Sequence, residues 1–374
     1  MHLGAGQRIG GPVEASSQRQ YLYGVQGLRT VAALLVAVYH IWYGRVSGGV
    51  DVFFVVAGFF ATGSLLRLFS KETTARGALR AYGNYLLRTA KRVVPSAVIV
   101  IVATVLGSLV WLPKTYWRDS IRHAGASFGF WENWQLIASS ADYLQQDTGA
   151  SPFQQFWALA VNVQFYFLFA SFVLALVALI RLRTGAVFGR DLRRALRLGA
   201  GAVFLASFLF SVVYTASDQA AAYFNTFTRL WEFMAGSLAA LLLRSPVRRV
   251  GLARVSGWVG LLVLLSFGAL FDLSELLPGF LSLVPVLAAL GLIWSSMAKA
   301  EPKILVWKPV LWVADASFAF YLWHWPLLVF YRHQYGEQVS LAAGLAIIAL
   351  SLVLAVVTTK LAEDPIRKSR RIAA

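Results

Sequence analysis

Residues 93–112 read VVPSAVIVIVATVLGSLVWL, an unbroken run without a charged side chain, preceded by Lys91 and Arg92. At about 1.5 Å per helical residue the run is about 30 Å long, which matches the hydrocarbon thickness of a bilayer. Nothing in water requires such a helix. Runs of the same kind recur near 28–44, 50–68, 156–180, 199–217, 228–243, 255–271, 279–297, 310–331 and 338–361. The sequence therefore predicts an all-α integral membrane protein of about ten transmembrane helices, because only helices or closed barrels satisfy every backbone group in lipid. Composition agrees, since the 374 residues are 58% hydrophobic and only 14% charged.

The expected organisation is a tail over 1–27, a membrane domain over 28–361 and a basic tail over 362–374. With the N-terminus inside, 25 of the 34 Lys and Arg fall in cytoplasmic loops and tails, and 5 fall outside. That asymmetry sets both termini in the cytoplasm. It also accounts for the net charge of +17 without nucleic acid. The longest outer segment, 113–155, is too short around 121–138 to cross and reads as a re-entrant or interfacial helix. Residues 1 to 20 lack an apolar core, so no cleaved leader is expected. Absence of Cys excludes thiol nucleophiles, thiolate metal sites and disulfides; no metal is invoked.

Ionisable groups inside spans are costly and become functional candidates. They are Arg29 and His40 on the first span, Asp51 on the second, Arg229 and Glu232 on the sixth, and Asp315 and His324 on the ninth. His40 stands eleven residues beyond Arg29, about 16 Å along a helix and in the outer half. Asp51, Arg229 and Glu232 should share its depth, with Asn162, Gln164, Tyr166 and His324 nearby as acceptor or supporting groups. A neutral His beside a carboxylate suits a general base. Arg29, Arg88, Lys91 and Arg92 at the inner face could hold phosphates. Bland readings compete: Arg88, Lys91 and Arg92 as topology anchors, Arg229 with Glu232 as a structural ion pair, His324 as an interfacial residue and Asp51 as a helix cap.

Gly24-Val-Gln-Gly-Leu-Arg29, His40 and Gly48-Gly-Val-Asp51 resemble the opening of the bacterial membrane acyltransferase-3 family. Matches continue in order through Arg88 to Pro95, Glu132-Asn-Trp134, Asp142-Tyr-Leu, Phe156-Trp to Tyr166, Thr228-Arg to Gly236, Ser317 to Pro326 and Glu363-Asp-Pro365. The resemblance implies an enzyme that passes an acyl group, commonly acetyl from acetyl-CoA, to a hydroxyl of an envelope glycan, glycolipid or small product. It further implies essential roles for His40 and Arg29. The branch resembled modifies envelope polysaccharide or peptidoglycan and often carries an extracytoplasmic SGNH-type domain. No such domain follows Ile372 in this sequence, so direct transfer or a separate SGNH-type partner is expected. That branch also has a carboxylate where Asn162 stands, which shifts the base to His40 oriented by Asp51 or Glu232, with Arg229 stabilising the oxyanion. A transporter or flippase, an acyl-relay subunit and a non-catalytic scaffold remain the alternatives.

Overall fold

The computed structural model describes residues 22–45, 47–70, 72, 74–140, 150–185, 189–243, 246–270 and 276–368. Lys71, Asp142, Asp147, Asp272, Glu275 and the end segments 1–21 and 369–374 lie outside the described residues. All regular structure among the described residues is helical, and the chain is an all-α integral membrane protein. Its long helices are α1 (Tyr23–Val38), α2 (Gly49–Phe69), α3 (Ala75–Trp111), α6 (Phe156–Thr184), α7 (Gly189–Ser217), α9 (Thr226–Leu242), α10 (Val250–Leu270), α11 (Leu283–Met297), α12 (Lys308–Tyr335) and α13 (Leu341–Thr358). Each overlaps one expected span. Among the described residues, eight segments are long and apolar enough to cross a membrane by length and composition. The other two helices are α9, which has only 17 residues, and α12, which interrupts its apolar run with Asp315, His324 and Arg332.

Short helices complete the fold. The segment expected to be re-entrant forms α4 (Trp117–Phe128) and α5 (Glu132–Ser140), of 12 and 9 residues, packed against α3 and α6. Phe130 turns the chain between them with φ 56. The helix α8 (Gln219–Phe224) precedes α9, and α14 (Asp364–Lys368) follows α13. The tail expected from 362 is therefore structured through Lys368, and Glu363 is buried against α3. The first helix likewise starts before the boundary expected at 27.

Side-chain caps begin several helices. Thr74 accepts from the Gly77 amide at 3.0 Å, Asn225 from Phe227 at 2.8 Å and Ser340 from Ala343 at 3.2 Å, each satisfying an amide that the first turn leaves unpaired. Packing then depends on small residues, since lipid supplies no hydrophobic drive between helices and close approach supplies dispersion instead. At Gly58 of α2 a Cβ would run into the Phe233 carbonyl of α9, and at Gly236 of α9 it would meet the Val55 carbonyl of α2. These two approaches bring the polar ends of α2 and α9 together. On the other side, Gly27 of α1 abuts the backbone of Leu305, while Thr30 donates to the Val310 carbonyl at 2.8 Å. α1 is thereby held between α2, α11 and α12.

Gly58→Leu is expected to abolish recovery of folded protein, because overpacking costs about 1–3 kcal/mol even where the backbone can yield. By contrast Gly83 in α3 has open space around its Cα, so Gly83→Ala should raise the melting temperature in detergent slightly through about 1 kcal/mol of helix propensity. Thermal unfolding of the two variants beside wild type checks both outcomes.

Candidate active site

α1 ends in a π-helical turn, Tyr39–Tyr43, that contains His40. Such a turn inserts one residue into the helical ladder and re-aims side chains, a feature frequent at functional sites. Here it directs His40 onto α12: His40 Nδ1 lies 3.0 Å from His324 Nε2, with the rings stacked at a centroid distance of 5.3 Å. Trp325 packs edge-on to His40 at 4.8 Å, and Arg332 donates to the His40 carbonyl at 2.9 Å. His324 is fully buried, whereas His40 retains partial access. One imidazole thus positions the other. With Nδ1 occupied by His324, the Nε2 of His40 is the nitrogen left for chemistry.

This pairing corrects the expected carboxylate partner. Asp51 and Glu232 instead face Arg229, whose Nη1 lies 3.4 Å from Asp51 Oδ1 and 2.9 Å from Glu232 Oε1. Arg229 Nε donates to the Tyr223 carbonyl at 3.1 Å, and its guanidinium lies over the rings of Tyr223 and Trp157. All three charged residues are at most 2% exposed. The Nε and Nη1 donors of this guanidinium are thus committed to a carbonyl and two carboxylates. The ion-pair reading therefore holds for Arg229 and Glu232, and it extends to Asp51. The trio ties α2 to α9.

Gln164 is also structural. Its amide donates to the Phe130 carbonyl at 2.8 Å and to Asn133 Oδ1 at 2.9 Å, and its carbonyl accepts from Trp134 Nε1 at 3.2 Å. Thr226 joins the same network through Gln164 and Asn133. This clamps α5 to α6 and α9. Asn162 folds back onto its own helix and donates to Ala158 O at 3.0 Å.

The Arg29 end holds a second cluster. Arg29 donates to Gln26 at 2.9 Å and lies in the field of Arg92, Tyr166, Glu363 and Asp315. Arg92 donates to Tyr166 Oη at 3.1 Å and covers the Tyr166 ring at 5.6 Å. Arg92 keeps accessible surface. Of the three basic residues expected beside Arg29, the structure brings Arg92 to it; Arg88 is exposed on the same helix, and both Arg88 and Lys91 belong to α3 rather than to a loop. Tyr166 belongs to this end and not beside His40. Glu363 was visible only as part of a short motif, yet it accepts from Ser96 at 3.3 Å and reaches this cluster through a π-helical turn over Thr359–Glu363. Folding places it there, and no spacing in the sequence announces it.

Sequence reasoning also missed a pair outside the spans. His123 Nδ1 lies 2.6 Å from Glu132 Oε1, across the turn from α4 to α5. Burial pushes the Glu132 carboxyl up to about 7, against the opposing hydrogen bond and charge of His123.

These features define a polytopic membrane protein with an imidazole pair at one end of its first helix and the guanidiniums of Arg29 and Arg92 in each other's field at the other. The chain belongs to the family described as acyltransferase domain, which it matches over residues 22–360. It is 25% identical over 94% of its length to "Peptidoglycan O-acetyltransferase OatA" of Listeria monocytogenes, covering 56% of that protein. It is 25% identical over 94% of its length to "Putative peptidoglycan O-acetyltransferase YrhL" of Bacillus subtilis, again covering 56%. With "O-acetyltransferase OatA" of Staphylococcus aureus it shares 26% identity over 93% of its length and 58% of the relative. The chain thus spans little more than half of these relatives. No solved structure matches it.

Removing the Gln164 network by Gln164→Leu should destabilise the fold by about 1–3 kcal/mol, because Asn133, Trp134 and the Phe130 carbonyl lose a buried partner; a lowered melting temperature in detergent is the check. Glu132 gives a pH signature. Folded protein keeps its proton up to about pH 7, whereas the ordinary value is 4.5, so the native state binds more protons between these values. Its contribution is present below pH 4.5 and lost as pH rises through 7. Glu132→Gln should flatten this part of the wild-type melting-temperature profile between pH 5 and 8, an effect on the order of 3 kcal/mol.

Proposed function

We propose that the protein is an O-acyltransferase that takes an acyl group, acetyl in the simplest case, from cytoplasmic acyl-CoA and delivers it to a hydroxyl of an envelope glycan on the opposite face of a bacterial plasma membrane. The observation that carries this reading is the His40–His324 contact at the far end of the same helix that carries Arg29. The buried pair positions one partly accessible imidazole, and the guanidiniums of Arg29 and Arg92 offer donors suited to phosphate oxygens. The positive bias of the loops supports a cytoplasmic Arg29 end and cytoplasmic termini. The relatives' names supply the acceptor class.

His40 Nε2 takes the proton of the acceptor hydroxyl as its oxygen attacks the thioester carbonyl. The carbon–sulfur bond then breaks, and the proton leaves with the CoA thiolate. Because Asp51 and Glu232 are committed to Arg229, His324 fixes the imidazole by occupying Nδ1. A variant of this reading makes the protein an acyl-relay subunit that hands the group to a separate SGNH-type transferase.

The test is release of free CoA by detergent-purified protein given acetyl-CoA and longer donors. His40→Ala should lower kcat by about 100-fold or more, the usual worth of a general base, and Arg29→Ala should raise the donor KM by about tenfold through loss of a charge-assisted bond. Wild-type protein that releases no CoA with any donor, yet moves glycolipid between leaflets of a vesicle, would establish a transporter instead.

A further inference from the structure

Beside the His40 end lies a cavity of about 280 Å³, walled by the end of α3, by α4 and α5, by residues 150–152 and by the last turns of α12. Its polar wall comprises Tyr116, Asp119, His123, Arg332, His333 and Glu337. Two contacts join it to His40. The guanidinium of Arg332 lines the cavity and donates to the His40 backbone, while Trp325, edge-on to His40, donates its indole N–H to the Ser151 carbonyl in the cavity wall at 2.9 Å. His123, in the wall itself, commits Nδ1 to the fully buried Glu132, so Nε2 is the ring nitrogen that remains for a ligand.

We infer that this cavity binds one uncharged, hydroxyl-rich sugar ring of the acceptor, with His123, held by Glu132, as the positioning residue for its hydroxyls. The inference rests on the acyltransferase reading above for the word acceptor, but not for the binding. Its chemistry follows from the mixture of groups. A sugar hydroxyl donates and accepts, so it is matched by carboxylates that accept and by a guanidinium and imidazoles that donate. Asp119 and Glu337 together outweigh the charge of Arg332, which disfavours a phosphate or carboxylate ligand. A lipid tail would leave these groups unpaired. Tyr116, packed against His333 at 5.4 Å, supplies a ring face for the apolar side of a pyranose. The volume is at the lower end of small-molecule sites, which suits a single ring with the rest of the chain outside.

The experiment is calorimetric titration of the detergent-purified full chain with an uncharged β-1,4-linked N-acetylglucosamine tetramer. Wild type should bind it, and Asp119→Asn on α4 and His333→Gln on α12 should each weaken binding by about tenfold, the worth of one or two hydrogen bonds to an acid or imidazole. In turnover with acetyl-CoA, His123→Gln should raise the KM for the tetramer by a similar factor and leave the KM for acetyl-CoA in place, a split that general loss of structure would not produce. No heat of binding with wild type, or equal affinity in both wall variants, overturns the assignment. Binding lost in the variants supports it even where no CoA is released, an outcome that removes the acyl-transfer reading alone; CoA release without sugar binding does the reverse.

Discussion

Polar side chains in a membrane-embedded bundle are stable only where another polar group meets them, and the arrangement of this protein follows from that constraint. The contact between His40 and His324 joins the first helix to the twelfth, across a separation of 284 residues. Neither imidazole could sit in hydrocarbon by itself at acceptable cost. Their mutual satisfaction fixes the rotation of α1 against α12, and α1 in turn carries Arg29 to the opposite end. The π-helical turn at Tyr39–Tyr43 is the local adjustment that lets one helix meet both demands.

Two further polar groups brace this axis. Arg229 with Asp51 and Glu232 locks α2 to α9, where Gly58 and Gly236 have already brought the backbones into contact. Gln164 with Asn133 and Thr226 holds the short helices α4 and α5 in place beside α6. A buried ion pair contributes little net stability against an apolar alternative, but breaking one partner leaves a charge exposed to low dielectric. Such groups therefore specify which helix faces meet. Asp51, Arg229 and Glu232 thus join α2 to α9 through buried ion pairs.

The polar residues of the bundle are divided between the two ends of the first helix. Guanidiniums and Tyr166 occupy one end, the imidazole pair occupies the other, and the cavity of α4, α5 and α12 adjoins the second. Asn162, where the resembling branch has a carboxylate, bonds only to its own helix among the described residues.

Much was legible from the sequence alone. The ten apolar runs, their charge asymmetry and the all-α class follow from the length and transfer energy of a bilayer span, which are local properties of a chain. His40 and Arg29 stood out for the same reason, since an ionisable residue in an apolar run carries its cost wherever it is placed. What the sequence could not supply was partnership. That His40 meets His324 and not Asp51, that Arg229 is consumed by two carboxylates, and that Glu363 and Glu132 are buried beside Ser96 and His123 all depend on helix rotation and crossing. Periodicity restricts a helix to a face, but only the packing of small residues across the bundle decides which face it meets.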